Sequence, residues 1–242
     1  MISVVLPTYN EARNIRQLLG ELRRVLGERE AWEILVVDDA SPDGTASVVA
    51  EASGEDARIR LLVRRERGLA GAVRCGCEQA KGDVLVVMDS DCNHRPEHVV
   101  ALLDALGGCD LVVGSRYVAG GGMAGSRLRF VLSGLYNLVV RWVLRLPTHD
   151  SLSGFLAFRR DLLAVLPMDR VFVGYGDYAI RFIQAVQRAG GRMGEVPVVY
   201  GTRPHGESKT RFLFHFMTYT RTVIELCRQP LEPRRRCGFV SS

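Results

Sequence analysis

The sequence predicts an α/β protein built on a mostly parallel, doubly wound sheet. In the first half, short apolar runs alternate with helical patterns over short connections, which is typical of that architecture. The apolar runs are nearly continuous, as expected for strands buried on both faces. The predicted strands are 2–6, 33–37, 59–63, 84–88 and 110–114, and the predicted helices between them are 12–26, 45–53, 69–80 and 97–106.

The second half changes character after the glycine run at 120–122, which marks a flexible break. There is no internal repeat and no low-complexity linker, so we expect a single domain over 1–242, with halves at about 1–120 and about 121–230. The elements expected after the break are an apolar helix over 127–146, a glycine-containing turn leading into a short apolar segment over 150–158, a helix over 177–189, a strand over 193–200 and a second apolar helix over 212–227.

Composition narrows the functional classes. With 47% hydrophobic and 24% charged residues, the chain is an ordinary globular protein. Its 27 acidic residues are interspersed among 32 basic ones and no recognised motif is present, which excludes nucleic acid as the expected partner. A strand directly after Met1 predicts no signal peptide. The 6 cysteines lack Cys-x-x-Cys spacing and are expected to be reduced thiols in a cytosolic protein.

The two apolar helices are not predicted to cross a membrane. The first contains Arg129, Arg141 and Arg145, and the second contains Arg221 and Glu225, whereas a span needs about 20 predominantly apolar residues. Both are therefore expected to be amphipathic. Two alternatives stay open: the helices pack on the domain or on a partner subunit, or they lie in a membrane interface with their arginines near lipid head groups.

Acidic residues follow several predicted strands. Asp89 and Asp91 come directly after 84–88, and the second strand ends at Asp38 and Asp39. The carboxyl ends of parallel strands meet at one edge of a sheet, where open α/β sheets bind ligands. Carboxylate and amide oxygens suit Mg²⁺ or Mn²⁺, which commonly clamp phosphate. An enzyme acting on a phosphorylated donor is therefore predicted. A Rossmann oxidoreductase is disfavoured, because Gly-x-Gly-x-x-Gly is absent after the first strand.

Six motifs in order give a resemblance to a known family. The sequence resembles the family 2 glycosyltransferases, specifically the dolichyl-phosphate mannose synthase group, over about residues 2 to 211. The motifs are Val5-Leu6-Pro7-Thr8-Tyr9-Asn10-Glu11, Val37-Asp38-Asp39-Ala40-Ser41-Pro42-Asp43-Gly44-Thr45, Met88-Asp89-Ser90-Asp91, Gly114-Ser115-Arg116-Tyr117, Ser153-Gly154-Phe155 and Gly206-Glu207-Ser208-Lys209. This resemblance implies a GT-A fold, with a nucleotide-sugar-binding half followed by an acceptor-binding half.

The resemblance also implies roles for individual residues, and Asp91 and Arg116 would be the catalytic ones. Asp89, Asp91 and Asn93 would bind the metal, Mg²⁺ or Mn²⁺. Arg116, Arg129 and Ser133 would receive the acceptor phosphate. The nucleotide-sugar donor would be held by Pro7, Tyr9, Glu11, Val37, Asp39, Asp89, Ser90, Asp91, Arg203 and Lys209.

By that resemblance, the expected activity is inverting, metal-dependent transfer of mannose from GDP-mannose to a dolichyl or polyprenyl phosphate. UDP-glucose or UDP-N-acetylglucosamine as donor stays an alternative, because acidic strand ends do not distinguish guanine from uracil. A non-catalytic nucleotide-sugar-binding subunit is a second alternative, since Asn93 stands where the family commonly has Gln and Ile180 where many members are acidic. The sequence predicts no transmembrane hairpins after the catalytic region. We therefore expect a cytoplasmic protein held peripherally at a membrane, directly or through a separate anchoring subunit.

Overall fold

Near-continuous apolar runs form the central strands of the sheet. In the computed structural model, which describes residues 1–27, 29, 31–201 and 212–228, strands β1 (Ile2–Thr8) and β2 (Trp32–Asp38) are buried along their whole lengths. The other strands are β3 (Ile59–Val63), β4 (Val84–Val87), β5 (Leu111–Ser115), β6 (Gly122–Met123), β7 (Leu156–Arg159), β8 (Met193–Pro197) and β9 (Val199–Tyr200).

The helices follow the predicted alternation. They are α1 (Ala12–Leu26), α2 (Thr45–Glu55), α3 (Leu69–Gln79), α4 (Glu97–Ala105), α5 (Arg127–Leu144), α6 (Leu162–Val165), α7 (Met168–Val171), α8 (Tyr178–Arg188) and α9 (Phe212–Arg228), and a 3₁₀ turn, Leu106–Gly108, follows α4. The short helices α6 and α7 were not predicted. Each has only four residues, too few to establish a helical hydrophobic period.

The described residues form a seven-stranded sheet in the order β3-β2-β1-β4-β7-β5-β8. Its α/β class and mostly parallel sheet confirm the predicted fold class. The exception to the parallel arrangement is β7, which runs antiparallel between β4 and β5. The sequence pattern at 150–158 indicates only a turn followed by a short apolar stretch. Because β7 occupies this position, β4 and β5 are not neighbours.

The predicted strand over 193–200 is two strands. β8 pairs with β5 at the edge of the main sheet, whereas β9 pairs with β6 in a separate two-stranded sheet. Val198 lies between them, its backbone N–H bonded to the Ser115 carbonyl at 3.0 Å. The break carries Tyr200 away from the main sheet and toward the polar edge residues described below.

Helices cover both faces of the sheet. One core cluster joins the sheet to α1, α2 and α4, and the other joins it to α3, α5, α8 and α9. A partly buried polar contact also joins α8 to α9: the Arg181 guanidinium donates to Glu225 at 2.8 Å and to Thr222 at 3.2 Å. The five described cysteines are free thiols, as predicted.

The close approach of α3 to the sheet depends on Gly76. A methyl group there would lie 2.3 Å from the Val5 side chain and 3.1 Å from the Val37 side chain. We expect Gly76→Ala to lower the free energy of unfolding by about 1–3 kcal/mol, because it overpacks the core. Urea denaturation measures this change.

Gly20 in α1 supplies the matched control. A methyl group at this position meets nothing within 4 Å. Gly20→Ala is expected to raise the free energy of unfolding by about 0.5–1 kcal/mol through helix propensity alone. Equal effects of the two substitutions would contradict the packing argument.

Candidate active site at the carboxyl edge of the sheet

The topology brings the predicted acidic strand ends together. β1 lies between β2 and β4 and is parallel to both, with Thr8 opposite Asp38 and Val5 opposite Val87. The loops that follow these three strands therefore leave the sheet side by side. Antiparallel β7 begins at the same edge, because Leu156 is opposite Val87. The Ser153-Gly154-Phe155 motif that precedes β7 therefore enters the site as well.

The loops after β1 and β2 are tied to each other. The Asn10 backbone N–H donates to Ser41 Oγ at 2.9 Å, and the Glu11 N–H donates to Thr45 Oγ1 at 3.0 Å. Ser41 is held in turn by its N–H bond of 2.9 Å to the Asp38 carboxylate. Asn10 and Ala40 have positive φ values of 56° and 49°, a conformation that non-glycine residues seldom adopt. These contacts fix the loop positions before any ligand binds.

Asp39 holds the segment that follows β3. Its carboxylate accepts a bond of 2.7 Å from Arg64 Nη1 and another of 2.7 Å from the Gly68 N–H. Burial raises the pKa of Asp39, while Gly68 and Arg64 oppose that rise. Nearby, the Arg67 guanidinium lies 3.8 Å from the centre of the Tyr9 ring. Asp39 and Tyr9 belong to motifs that the sequence reveals, whereas Arg64 and Arg67 lie in an arginine-rich run with no recognisable motif and were not predicted.

Other predicted donor-binding residues occupy distinct environments. Glu11 is buried and accepts a hydrogen bond of 2.6 Å from Asn14 Nδ2. The Val37 side chain is fully buried in the core. The Pro7 carbonyl accepts from Ser90 Oγ at 2.9 Å, which joins the first motif to the third. Arg203 and Lys209 lie outside the described residues, and every assigned binding role stays a prediction.

The Asp-Ser-Asp segment after β4 presents two carboxylates. The Asp89 side chain is 40% exposed, while Asp91 is buried. Asn93 donates to Asp91 twice, from its backbone N–H at 3.0 Å and from its side-chain amide at 2.9 Å. In this structure Asn93 therefore orients Asp91, an interaction that sequence analysis did not predict.

The carboxylates of Asp89 and Asp91 suit Mg²⁺ or Mn²⁺ as ligands. Among the described residues no group of three or more His, Cys, Asp or Glu side chains is arranged to hold a metal. Two carboxylates are nevertheless sufficient for a cation that completes its coordination with substrate phosphate and water, the usual arrangement for Mg²⁺. Asp89 and Asp91 are the residues that would hold it.

His94 is buried directly behind Asp89. Its Nδ1 accepts a hydrogen bond of 2.9 Å from the Asp89 backbone N–H. Its ring stacks on Phe155 at 4.6 Å and meets the Tyr200 ring edge-on at 4.7 Å. Burial lowers the pKa of His94 to about 4, against the opposing effect of Asp91. The ring is therefore neutral at pH 7, which matches its role as acceptor.

Arg116 forms a buried ion pair with Asp150. Its Nε and Nη2 donate to the two oxygens of Asp150 at 2.7 and 2.8 Å, and its backbone N–H adds a bond of 3.0 Å. Asp150 is fully buried and also accepts from Asn137 Nδ2 at 3.2 Å. Burial acts to lower the pKa of Arg116, but the charge and the hydrogen bonds of Asp150 outweigh it, so the pKa is raised. The predicted contact of Arg116 with the acceptor phosphate stays a prediction, and Asp150 is a partner that the sequence did not reveal.

Helix α5 connects this pair to the surface. Asn137 donates to the Ser133 carbonyl at 3.2 Å as well as to Asp150. Arg129 is exposed, Ser133 is half-buried and Asn137 is buried. Their spacing of four residues places all three on one helix face. That face leads inward from Arg129 to the buried ion pair.

Gly154 keeps a small space open beside Asp89. A methyl group on Gly154 would lie 3.0 Å from Tyr178 Oη and 3.9 Å from Asp89 Oδ1. The Tyr178 hydroxyl is buried with no hydrogen-bond partner among the described residues. Any side chain at position 154 would therefore reduce the space between these two polar groups.

The architecture is that of the GT-A glycosyltransferases. A crystal structure of glucosyl-3-phosphoglycerate synthase from Mycobacterium tuberculosis with Mn²⁺, UDP and glucosyl-3-phosphoglycerate matches with a TM-score of 0.69 at 26% identity, covering 95% of this chain and 81% of that chain. Another structure of that enzyme, with Mg²⁺ and UDP, matches with a TM-score of 0.69 at 25% identity, covering 95% and 80%.

The chain belongs to glycosyl transferase family 2, whose sequence model matches residues 3–166. It is 38% identical to the undecaprenyl-phosphate mannosyltransferase of Micrococcus luteus over 215 residues, covering 86% of each chain. It is 35% identical to the polyprenol monophosphomannose synthase of Mycolicibacterium smegmatis, covering 85% of this chain and 79% of the relative. For the dolichol-phosphate mannosyltransferase of Pyrococcus furiosus the identity is 34%, covering 87% and 59%. The protein is a glycosyltransferase, as predicted.

The buried ion pair makes a stability prediction. Asp150→Asn leaves the Arg116 charge buried without its counter-charge, so we expect the free energy of unfolding to fall by about 3–5 kcal/mol. Urea denaturation at neutral pH measures the change. Asp104→Asn is the control, because the Asp104 side chain is 63% exposed and its pair with Arg29 contributes at most about 1 kcal/mol. Similar losses in both variants would refute the special role of the buried pair.

Proposed function

We propose that the protein transfers a mannosyl residue from GDP-mannose to a polyprenyl or dolichyl phosphate. One observation carries the proposal: a single face of α5 runs from exposed Arg129 to the Arg116–Asp150 pair at the acidic edge of the sheet. A lipid phosphate and a nucleotide sugar can therefore approach from two sides. The names of three relatives combine mannose with an undecaprenyl, dolichol or polyprenol phosphate. These names support the same acceptor class.

The donor is the finer part of the proposal. The mannosyltransferase names of the relatives favour mannose as the transferred sugar, and GDP as its carrier rests on the motif resemblance alone. The solved structures contain UDP instead, so UDP-glucose and UDP-N-acetylglucosamine are the alternatives. A non-catalytic nucleotide-sugar-binding subunit is less well supported, because the Asp89–Asp91 carboxylates stand together at the site.

The reaction needs positioning more than a strong base. An oxygen of the lipid phosphate is already anionic near neutral pH and attacks the anomeric carbon of the sugar. The new carbon–oxygen bond forms as the bond to the diphosphate breaks, and its electron pair leaves with the nucleoside diphosphate. Displacement from the opposite face inverts the anomeric configuration. Arg129, together with Ser133, would hold the attacking phosphate in line.

The leaving group accumulates negative charge as the bond breaks. A cation bound by Asp89 and Asp91 would neutralise the diphosphate electrostatically. Arg203 and Lys209 would add positive charge there, and their assignment rests on sequence alone. Asn93, by donating twice to Asp91, keeps that carboxylate turned in one direction.

A membrane surface is the partner we propose for α5. One stripe of the helix is apolar and exposed, with Leu135 57% and Trp142 81% exposed. The remaining members of the stripe are Leu128, Val131, Leu132, Leu138, Val139 and Val143. Arg127 and Arg141 lie on the same helix and suit anionic head groups. This mixture of exposed apolar side chains and arginines suits a helix that lies in the membrane interface. Among the described helices, none is long and apolar enough to cross a bilayer.

The catalytic assignment is tested with Asp91→Asn. We expect mannosyl transfer from GDP-mannose to polyprenyl phosphate to fall by at least about a thousandfold, because the variant weakens cation binding at the leaving group. The assay follows radiolabelled sugar into the lipid fraction and compares GDP-mannose with UDP-glucose as donor in the wild type.

Asp83→Asn is its control, since Asp83 lies at the opposite end of β4 and its side chain is 87% exposed. It should transfer mannose at the wild-type rate. A well-folded Asp91→Asn enzyme with normal activity would disprove the proposed site, and transfer from UDP-glucose alone would replace the donor.

The membrane proposal is tested with Leu135→Glu combined with Trp142→Glu. Binding to vesicles containing anionic lipid should weaken by about tenfold or more, because two large apolar side chains are lost from the face that would enter the lipid. Sedimentation with vesicles measures it, and wild-type binding should weaken as salt rises. Val165→Glu, at an exposed apolar position on α6, is the control. Unchanged vesicle binding in the double variant would exclude this face.

A further inference from the structure

We infer that His94 is a positioning residue that orients Asp89 through two contacts. One contact is to the Asp89 main chain, and the other forms to the Asp89 carboxylate when a cation is bound. The inference deepens the proposed function and rests on it, since it assigns His94 to the Asp89–Asp91 cation site. His94 itself would contact neither the cation nor the substrates.

The first contact is already present. His94 Nδ1 accepts the Asp89 backbone N–H at 2.9 Å. A neutral imidazole that accepts at Nδ1 carries its proton on Nε2. The hydrogen bond therefore determines the tautomer and makes Nε2 a donor.

The second contact is incomplete. His94 Nε2 lies 3.8 Å from Asp89 Oδ2, about 0.6 Å beyond the usual limit for a hydrogen bond. It is also buried without a hydrogen-bond partner among the described residues. A buried N–H without a partner is unfavourable, because the loss of its hydration is not compensated. A small rotation of the Asp89 carboxylate, whose side chain is 40% exposed, would remove that cost.

The ring cannot turn to find another partner. Phe155 stacks on one face with an interplanar angle of 10°, and the Tyr200 ring meets it at 67°. Tyr200 is fixed by a contact of 2.9 Å between its hydroxyl and Ser153 Oγ. Since the imidazole is immobile, the carboxylate is the group that moves. Carboxylates that ligate metals are commonly oriented by such outer hydrogen bonds, and removing one costs about 10–100-fold in metal affinity.

Variants separate this role from simple packing. His94→Phe keeps an aromatic ring between Phe155 and Tyr200 but removes both nitrogens, while His94→Asn places an acceptor oxygen near the Nδ1 position and lacks Nε2. Calorimetry measures GDP binding with and without Mn²⁺. We expect His94→Phe to lose about 10–100-fold in Mn²⁺ affinity in the presence of GDP, with metal-free GDP binding within about twofold of wild type. His94→Asn should recover part of that loss.

Unchanged Mn²⁺ affinity in folded His94→Phe would overturn the inference and leave the proposed function intact. If the wild type itself bound GDP without any dependence on Mn²⁺, the cation site of the proposed function would fail, and the inference with it. The two failures are therefore distinguishable.

A measurement on the wild type does not depend on whether the variants fold. Nitrogen-15 NMR of the imidazole should show the Nε2–H tautomer, and its Nε2 signal should shift when Mg²⁺ and GDP are added together. An Nδ1–H tautomer, or an Nε2 signal that ignores Mg²⁺ and GDP, would overturn the inference.

Discussion

The buried contact between Arg116 and Asp150 organises one side of the site. It joins the end of β5 to the loop before β7, and through Asn137 it joins both to α5. Removing two charges from water is costly, and the geometry here compensates with a two-point contact and additional N–H donors. The position of Arg129 and Ser133 relative to the acidic strand ends therefore depends on this ion pair.

The other side of the site depends on hydrogen bonds between loops. Asp38 holds Ser41, which holds Asn10, and Asp39 holds the segment at Arg64 and Gly68. These bonds are made within the protein. The loops are therefore ordered in advance, so the free energy of ligand binding need not offset the entropic cost of ordering them.

Much of this fold follows from local sequence patterns, because buried parallel strands and amphipathic helices leave a periodic signal. The strand β7 has no such periodic signal, because it is only four residues long. Its position in the sheet is determined by pairing with β4 and β5, both distant in the chain. The same limit applies to the site. Asp89 and Asp91 were predicted as site residues because they follow an apolar run. The structure places them after β4, at the same edge of the sheet as the end of β2. The partners Asp150 and Arg64 come from elsewhere in the sequence and carry no motif, so only the fold reveals them.

β7 follows both of its sheet neighbours, β4 and β5, in the chain. This order affects the chain while it is being synthesised. While residues up to 155 emerge from a ribosome, β4 has a neighbour only on the β1 side, and its other edge shows unpaired backbone along Val84–Val87. An apolar strand with a free edge is a template for pairing between chains. The nascent first half is thus vulnerable to aggregation until Leu156–Arg159 pairs with β4.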